Sequence, residues 1–476
     1  MAFKLRPYQS ETIANILDSM RHGNKRIIVQ QPPRTGKTVI MADIARRTTD
    51  KGNRVMFLIH RKEVLDQAKA TFKANGVDMD LATMGMVQTL TRRIKKLPEP
   101  QLIFIDEAHH AIAKSYQRIL KAFPDAYVLL FTATPVRTGH DQLDKITDAI
   151  IPGKSIKWLT KQGYLAPFQY FSMPNIDTTK LKKSSTGDYT SESMDEAIDK
   201  AVYGDVIEQY NLHAKGMQAV CYSYSVASAK ILADRFNEAG ISAVEVDGET
   251  PDEQRDELVQ QFRDQKISVL VNVNLFTEGV DLPNVDCVIM VRPTQSLALY
   301  LQFAMRCLNP RPGKMAVIID HVENWKRFGT PSADRDWEQA IITRKKRKRT
   351  DQITTVQCNQ CMRIWEPEQL KNGRCPECGF LIRRKDSDED QDRERKPVHL
   401  VKVDLVEIDQ ETENARYEAD HRVAMAKQII GNRLMQAVAD KTVGQLSSIE
   451  ELKAYGKLHG FKPGWAWYQA KNRGWA

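Results

Sequence analysis

No apolar run in this chain approaches the roughly 20 residues that cross a bilayer, and the N-terminus MAFKLRPYQSETI lacks the long apolar core of a signal peptide. A soluble, cytosolic protein is expected, with no membrane among its partners. Cysteine is scarce: seven in 476 residues, three isolated (Cys221, Cys287, Cys307) and four gathered between Cys358 and Cys378. An odd number in a large cytosolic chain argues against a disulfide framework. Internal repeats of short period are absent, so no repeat architecture is expected.

What is present fits a globular protein of more than one core. An apolar share of 42% supports folding, and the length calls for two domains of roughly 150 residues with smaller additions. Lysine and arginine number 70 against 61 acids, a formal net charge of +9, which favours a polyanionic partner without identifying one. From 26 to 134, the runs RIIVQ, RVMFLIH, LIFIDEA and AYVLLFTAT alternate with amphipathic segments. That alternation predicts a mostly parallel sheet covered on both faces. A second series follows, with MQAVCYS, SAVEVDG, SVLVNVN, CVIMVRP and MAVIIDH as strands. The fold class is therefore α/β, with two tandem parallel-sheet domains.

The expected boundaries are 1–150 for the first domain, 151–215 for a connecting segment and 216–340 for the second domain. Within the connection, KLKKSSTGDYTSES (180–193) reads as an exposed loop between the halves. Residues 341–382 hold a basic run, RKKRKR, and the cysteine cluster. A charged linker (383–396) and a C-terminal accessory region (397–476) complete the chain. The accessory region ends in an aromatic and basic tail whose Trp465, Trp467 and Tyr468 suit either a small core or stacking on bases.

Chemistry is concentrated in a few stretches. In QQPPRTGKT (30–38) the phosphate-binding pattern G-x-x-x-x-G-K-[ST] is met by Gly36, Lys37 and Thr38, but Gln31 stands where the first glycine belongs. Arg34 adds a bulky cation to a turn whose amides should curl around phosphate oxygens. IFIDEAHH (103–110) sets Asp106 and Glu107 directly after a buried strand, where the chain leaves the sheet. Asp106 suits a magnesium ion and Glu107 an attacking water; an acidic helix start would look the same. Cys358, Cys361, Cys375 and Cys378 form C-x2-C-x13-C-x2-C, the pattern of one structural tetrahedral zinc.

The phosphate loop, IDEAHH, FTATP (131–135), LFTEGVDLP (275–283) and YLQFAMR (300–306) occur in that order, each at a strand end or helix start. In this the chain resembles superfamily 2 helicases, in particular the DEAH-containing group of phage fork-remodelling helicases, RecG-like and XPB-like enzymes and restriction translocases. The resemblance runs from about Leu5 to Trp337. It implies two RecA-like domains with ATP and Mg2+ between them, and a location in bacterial or phage-infected host cytoplasm. LRPYQ (5–9) looks like the adenine-recognition motif, with Arg6 and Gln9 at the matching positions.

By the same resemblance Thr35, Gly36, Lys37 and Thr38 line the phosphates, Thr38 and Asp106 hold magnesium, and Glu107 orients the water, while Arg34, where relatives usually carry glycine, either points to solvent or adds a phosphate contact. His109, Thr132 and Thr134 couple the site to motion. Gly279 and Asp281 form the second-domain wall, and Gln302 and Arg306 complete the site, Arg306 as an arginine finger. His60, Arg61, Gln88, Thr89 and Thr277 match nucleic-acid contacts, although each also reads as a solvated or capping residue. Departures fall at the phosphates: Met305 and Asn309 replace a glycine and a second arginine of Q-x-x-G-R-x-x-R. No nuclease motif is evident. The implied function is an ATP-dependent DNA helicase or translocase that remodels forks and Holliday-type junctions, with DNA as partner and a structural Zn2+. An RNA helicase, or a nucleic-acid-binding scaffold with decayed ATPase, are the alternatives, Arg34, Met305 and Asn309 being the signs of decay.

Overall fold

The computed structural model describes residues 3–60, 62–135, 143–173, 176–184, 187–198, 202–273, 275, 282, 284–337, 355–382, 438, 441, 443–458 and 465–473. It divides into two units, 1–386 and 387–476. Among the described residues no helix is long and apolar enough to cross a membrane.

The larger unit contains two six-stranded sheets. The first is built from β1 (Arg26–Gln30), β2 (Val55–Ile59), β3 (Ala82–Met86), β4 (Leu102–Ile105), β5 (Tyr127–Thr132) and β6 (Ala149–Ile151), in spatial order β3-β2-β4-β5-β1-β6. All its pairings are parallel. Parallel strands need crossover helices, and these cover both faces, so the central strands β2 and β4 are buried at every position. The edge strands β3 and β6 are only partly buried. Their weaker apolar signal, ATMGM and AII, is why the alternation shows four strands and the structure six.

The second sheet comprises β7 (Phe168–Ser172), β8 (Ala219–Tyr222), β9 (Ala243–Val246), β10 (Val269–Asn272), β11 (Cys287–Met290) and β12 (Ala316–Asp320), in order β7-β12-β11-β8-β10-β9 and again parallel. Here the expected boundary at 216 needs correction. β7 lies inside the stretch read as a connection, and so does the helix Val202–His213, whose Val202, Val206 and Tyr210 pack with Phe171 and Cys221 in one core. FQYFS carries polar residues at two positions and stands far from the next strand, so no periodicity betrayed it. The loop 180–193 is exposed at Lys180, Lys182, Lys183, Ser191 and Glu192, but it is also anchored. Asp188 accepts hydrogen bonds from Thr294 Oγ1 and the Gln295 amide and pairs with Arg292 at 3.6 Å, which fastens the loop to the second half.

A short antiparallel hairpin, β13 (Val356–Gln357) and β14 (Ile364–Trp365), carries the cysteine cluster and belongs to the same unit. In the smaller unit the helices Ile449–Leu458 and Trp465–Asn472 share a small core of Val438, Leu446, Leu452 and Ala470. Tyr468 is exposed on the second of them. The basic run 344–349 and the linker 383–396 lie outside the described residues.

Candidate functional site

β1 delivers the chain to the carboxyl edge of the first sheet, where it turns through 31–36 into the helix Lys37–Thr49. Two residues of this loop are left-handed, Gly36 at φ 79° and Arg34 at φ 66°. Glycine suits 36 by its backbone, and a Cβ there would also sit 2.6 Å from Gln9 Nε2, the side-chain end that braces the loop. At 34 an arginine occupies a conformation that costs a side-chain-bearing residue energy. The preceding helix Pro7–Arg21 holds the loop from behind: Tyr8 Oη and Gln9 Nε2 both donate to the Thr35 carbonyl, at 2.7 and 3.0 Å. Arg6 lies 5.4 Å from the centroid of the Tyr164 ring.

Gln31, in place of the first glycine, does not enter the phosphate cradle. Its side chain is buried and donates to Thr12 Oγ1 at 3.0 Å, bolting the loop to the opening helix. Gln30 ties three segments together, donating from Nε2 to the Ala133 carbonyl and accepting at Oε1 from the Gly153 amide, both at 3.0 Å. A Cβ on Gly153 would approach the Gln30 carbonyl oxygen to 2.6 Å, and backbone cannot move aside cheaply. Gly153→Ala is therefore expected to destabilise the protein by about 1–3 kcal/mol, the usual penalty of overpacking, read from its urea midpoint.

The acids arrive from β4. The Asp106 amide donates to the Leu58 carbonyl, and Asp106 Oδ1 accepts from the Glu107 amide at 2.9 Å. Glu107 is itself left-handed, φ 48°, which bends the chain into the turn Ala108–His110. This brings Glu107 Oε1 to 3.1 Å from Lys37 Nζ, with both side chains about 13–14% exposed. Thr132 Oγ1 donates to the Thr134 carbonyl and accepts from the Thr134 amide, closing a tight turn beyond β5. The His60 and His110 rings lie 4.3 Å apart. Gln88 and Thr89 are exposed on the first turn of the helix Val87–Arg92 that follows β3. Arg61, Thr277, Gly279, Asp281 and the side chain of His109 lie outside the described residues.

From the second half, the helix Leu297–Ala304 and the turn after it carry Gln302 and Arg306, both nearly buried, with Met305 fully buried between them. Met305 packs in the core, so the position where the motif has glycine is used for packing. Tyr222, at the end of β8, was not legible as a site residue. Burial pushes its phenol up, while the guanidinium groups of Arg306 and Arg34 pull it back. Burial likewise drives the Cys307 thiol up to about 12 against the opposing influence of Lys314 and Arg34. Arg34, a phosphate-loop residue, thus sits within electrostatic reach of second-half groups beside Arg306.

The thiols of Cys358, Cys361, Cys375 and Cys378 all lie within 4.8 Å of one another, with Cys358–Cys378 at 3.5 Å and Cys361–Cys375 at 3.6 Å. Zn–S bonds of about 2.3 Å in a tetrahedron give S···S edges of about 3.8 Å, so the donor set fits zinc.

Residues 2–137 match the family described as "Type III restriction enzyme, res subunit", and residues 201–310 match "Helicase conserved C-terminal domain". The 51.5 kDa protein of Lactococcus phage (isolate 7-9) is 37% identical over 432 residues, covering 89% of this chain and 95% of the relative. A Saccharomyces cerevisiae protein named as a candidate ATP-dependent helicase, IRC3, is 30% identical over 338 residues, 64% of this chain; the chain spans about half (49%) of that relative. Among solved structures, a fragment of a candidate HsdR subunit of a type I restriction enzyme from Vibrio vulnificus YJ016 superposes with a TM-score of 0.55 at 21% identity. That superposition covers 68% of this chain and 66% of the other, and shows the fold. Two parallel sheets meeting at a phosphate loop, with these matches, define a superfamily 2 helicase: an ATP-dependent nucleic-acid enzyme that hydrolyses ATP. Within that class the chain belongs to the family of the Lactococcus phage protein.

Proposed function

We propose that the protein is an ATP-driven DNA translocase that remodels branched DNA. The observation that carries the reading is the Lys37–Glu107 pair at the carboxyl edge of one sheet, together with Arg34 of the adjoining loop acting with Arg306 on Tyr222 of the other half. ATP bound on the loop 31–38 would have Lys37 on its β- and γ-phosphates and Glu107 positioned to orient and deprotonate water. Thr38 and Asp106 would hold magnesium, which neutralises phosphate charge when bound. Arg306 would answer the charge that develops on the transferred phosphoryl group, from the opposite half. Hydrolysis then changes what holds the halves together, and Thr132 and Thr134, beside Gln30, would pass that change to the strand path. The exposed Gln88 and Thr89, with His60, would grip the backbone of one strand, which positions DNA without reading it.

DNA is favoured because the first-half match is to a restriction subunit, and net charge of +9 suits any polynucleotide. The four cysteines would hold one structural zinc, with no open coordination position. Steady-state ATPase titrated with forked DNA, linear duplex, single strands and RNA tests the reading. Forked DNA is expected to stimulate most, to respond steeply to salt, and to be branch-migrated in a gel assay. Stimulation by RNA alone would replace the DNA assignment with the RNA-helicase one, and equal stimulation by all four would remove the branch preference.

A further inference from the structure

The cysteine module is joined to the second sheet. β7 is an edge strand, and edges left open invite mispairing. Here the module covers it: Phe171 bridges Arg363 in antiparallel fashion, the Ser172 amide donates to the Met362 carbonyl at 3.2 Å, and Gln357 Nε2 donates to the Ser172 carbonyl at 2.6 Å. Ile364 of β14 is buried in the same core as Leu159, Tyr170 and Tyr300.

Directly after β14 comes Glu366, whose side chain is 12% exposed. Its Oε1 accepts from Thr330 Oγ1 at 3.1 Å and Ser332 Oγ at 2.7 Å, and its Oε2 pairs with Lys157 at 3.5 Å. These partners belong to the two segments that wall a cavity of about 180 Å³ against the phosphate loop. Pro331, Ala333 and Trp337 form one wall and the start of the helix Ile156–Lys161 another, opposite Pro32 and Pro33. The 330–337 wall is wound around Arg335, which donates to the carbonyls of Phe328, Thr330, Pro331 and Ala333. Glu366 therefore joins the cysteine module to the 330–337 segment, and together with Glu368, which also pairs with Lys157, to the helix Ile156–Lys161.

We propose that Glu366 is a positioning residue through which metal loading of the four cysteines sets the wall between the ATP-binding half and its partner half. The reason is size. The module's own apolar core comprises Cys358, Trp365 and Cys375 with a few partly buried neighbours, so beyond the anchored Ile364 the turn that carries Glu366 depends for its order on the four thiolates being held together. Loss of metal frees Glu366, releases Thr330, Ser332 and Lys157 together, and lets the wall move while the phosphate loop stays intact. The inference rests on the zinc reading above.

The test compares the full-length protein, the same protein stripped of metal by a thiol-competing chelator, and Glu366→Gln, which keeps shape and removes charge. Zinc content, hydrogen exchange and ATPase kinetics are measured on each. Glu366→Gln is expected to retain one zinc per chain, yet to exchange amides of 329–337 at least ~10-fold faster, as loss of a charge-assisted acceptor requires. Its kcat should fall several-fold with KM for ATP nearly unchanged, because nucleotide is held by the first half and closure by the second. Stripping metal should give the same exchange pattern, and stripping Glu366→Gln should add little in 329–337. Unchanged exchange there in Glu366→Gln overturns the proposal whatever the metal content, as does a stripped protein whose wall exchanges like the parent's. Absence of zinc from the untreated protein would overturn the metal dependence, while the Glu366→Gln result would still decide the positioning role by itself.

Discussion

Replacing Glu107 by glutamine is expected to lower ATP turnover by roughly 10²–10⁴-fold, the range spanned by loss of a general base, with folding retained. The substitution is close to isosteric, so the left-handed backbone at φ 48° and the turn Ala108–His110 have no new reason to change. The Asp106 side chain bonds the Glu107 amide, which the replacement keeps. What is lost is the negative charge that polarises water, and with it the ionic partner of Lys37 at 3.1 Å. Lys37 then has a neutral neighbour, so affinity for the anionic nucleotide should hold or rise while chemistry fails. Lys37→Ala should abolish hydrolysis through the opposite route, by removing the cation that phosphate oxygens need. Equilibrium nucleotide binding and single-turnover hydrolysis on the two variants separate these losses. Normal single-turnover rates in Glu107→Gln would move the water-activating role to another group.

Much of this site was legible in the chain because its parts are local. A buried strand followed by a turn and a helix start leaves a pattern in consecutive residues, and RIIVQ with GKT, LIFI with DE, and YLQFAMR all do so. What stayed hidden depends on contacts between distant segments. Gln31 looked like damage to a phosphate loop until its side chain was found bonded to Thr12 in another element. Tyr222 sat inside an apolar run, where nothing distinguishes a core tyrosine from one beside two guanidinium groups. β7 and the helix Val202–His213 were missed for a related reason: each acquires its apolar face only from a sheet assembled far along the sequence. The spacing of the four cysteines was clear, whereas their module's attachment to β7 through Met362, Arg363 and Gln357 had no signature at all.

Arg306→Ala is expected to reduce ATP turnover by about 10³-fold, the lower end of what arginine fingers contribute. Arg306 is 8% exposed, on the turn that ends the helix Leu297–Ala304, and shares the neighbourhood of Tyr222 with Arg34. That sharing makes Arg34 the informative partner. A residue held at φ 66° costs energy that glycine would not, so Arg34→Gly should leave stability unchanged or raise it by up to about 1 kcal/mol. If the guanidinium serves the reaction across the halves, in place of the arginine absent at Asn309, the same substitution should lower turnover by about 10²-fold, as loss of one preorganised donor does. Stability and activity would then move in opposite directions, a result that simple loss of packing cannot give. The double variant distinguishes shared from separate action. Two groups acting on the same developing charge should show a combined loss smaller than the product of the single losses, whereas independent roles multiply. An Arg34→Gly protein with unaltered turnover would remove Arg34 from the reaction, leave the cross-half charge to Arg306, and make the strain at 34 a feature of how the loop packs.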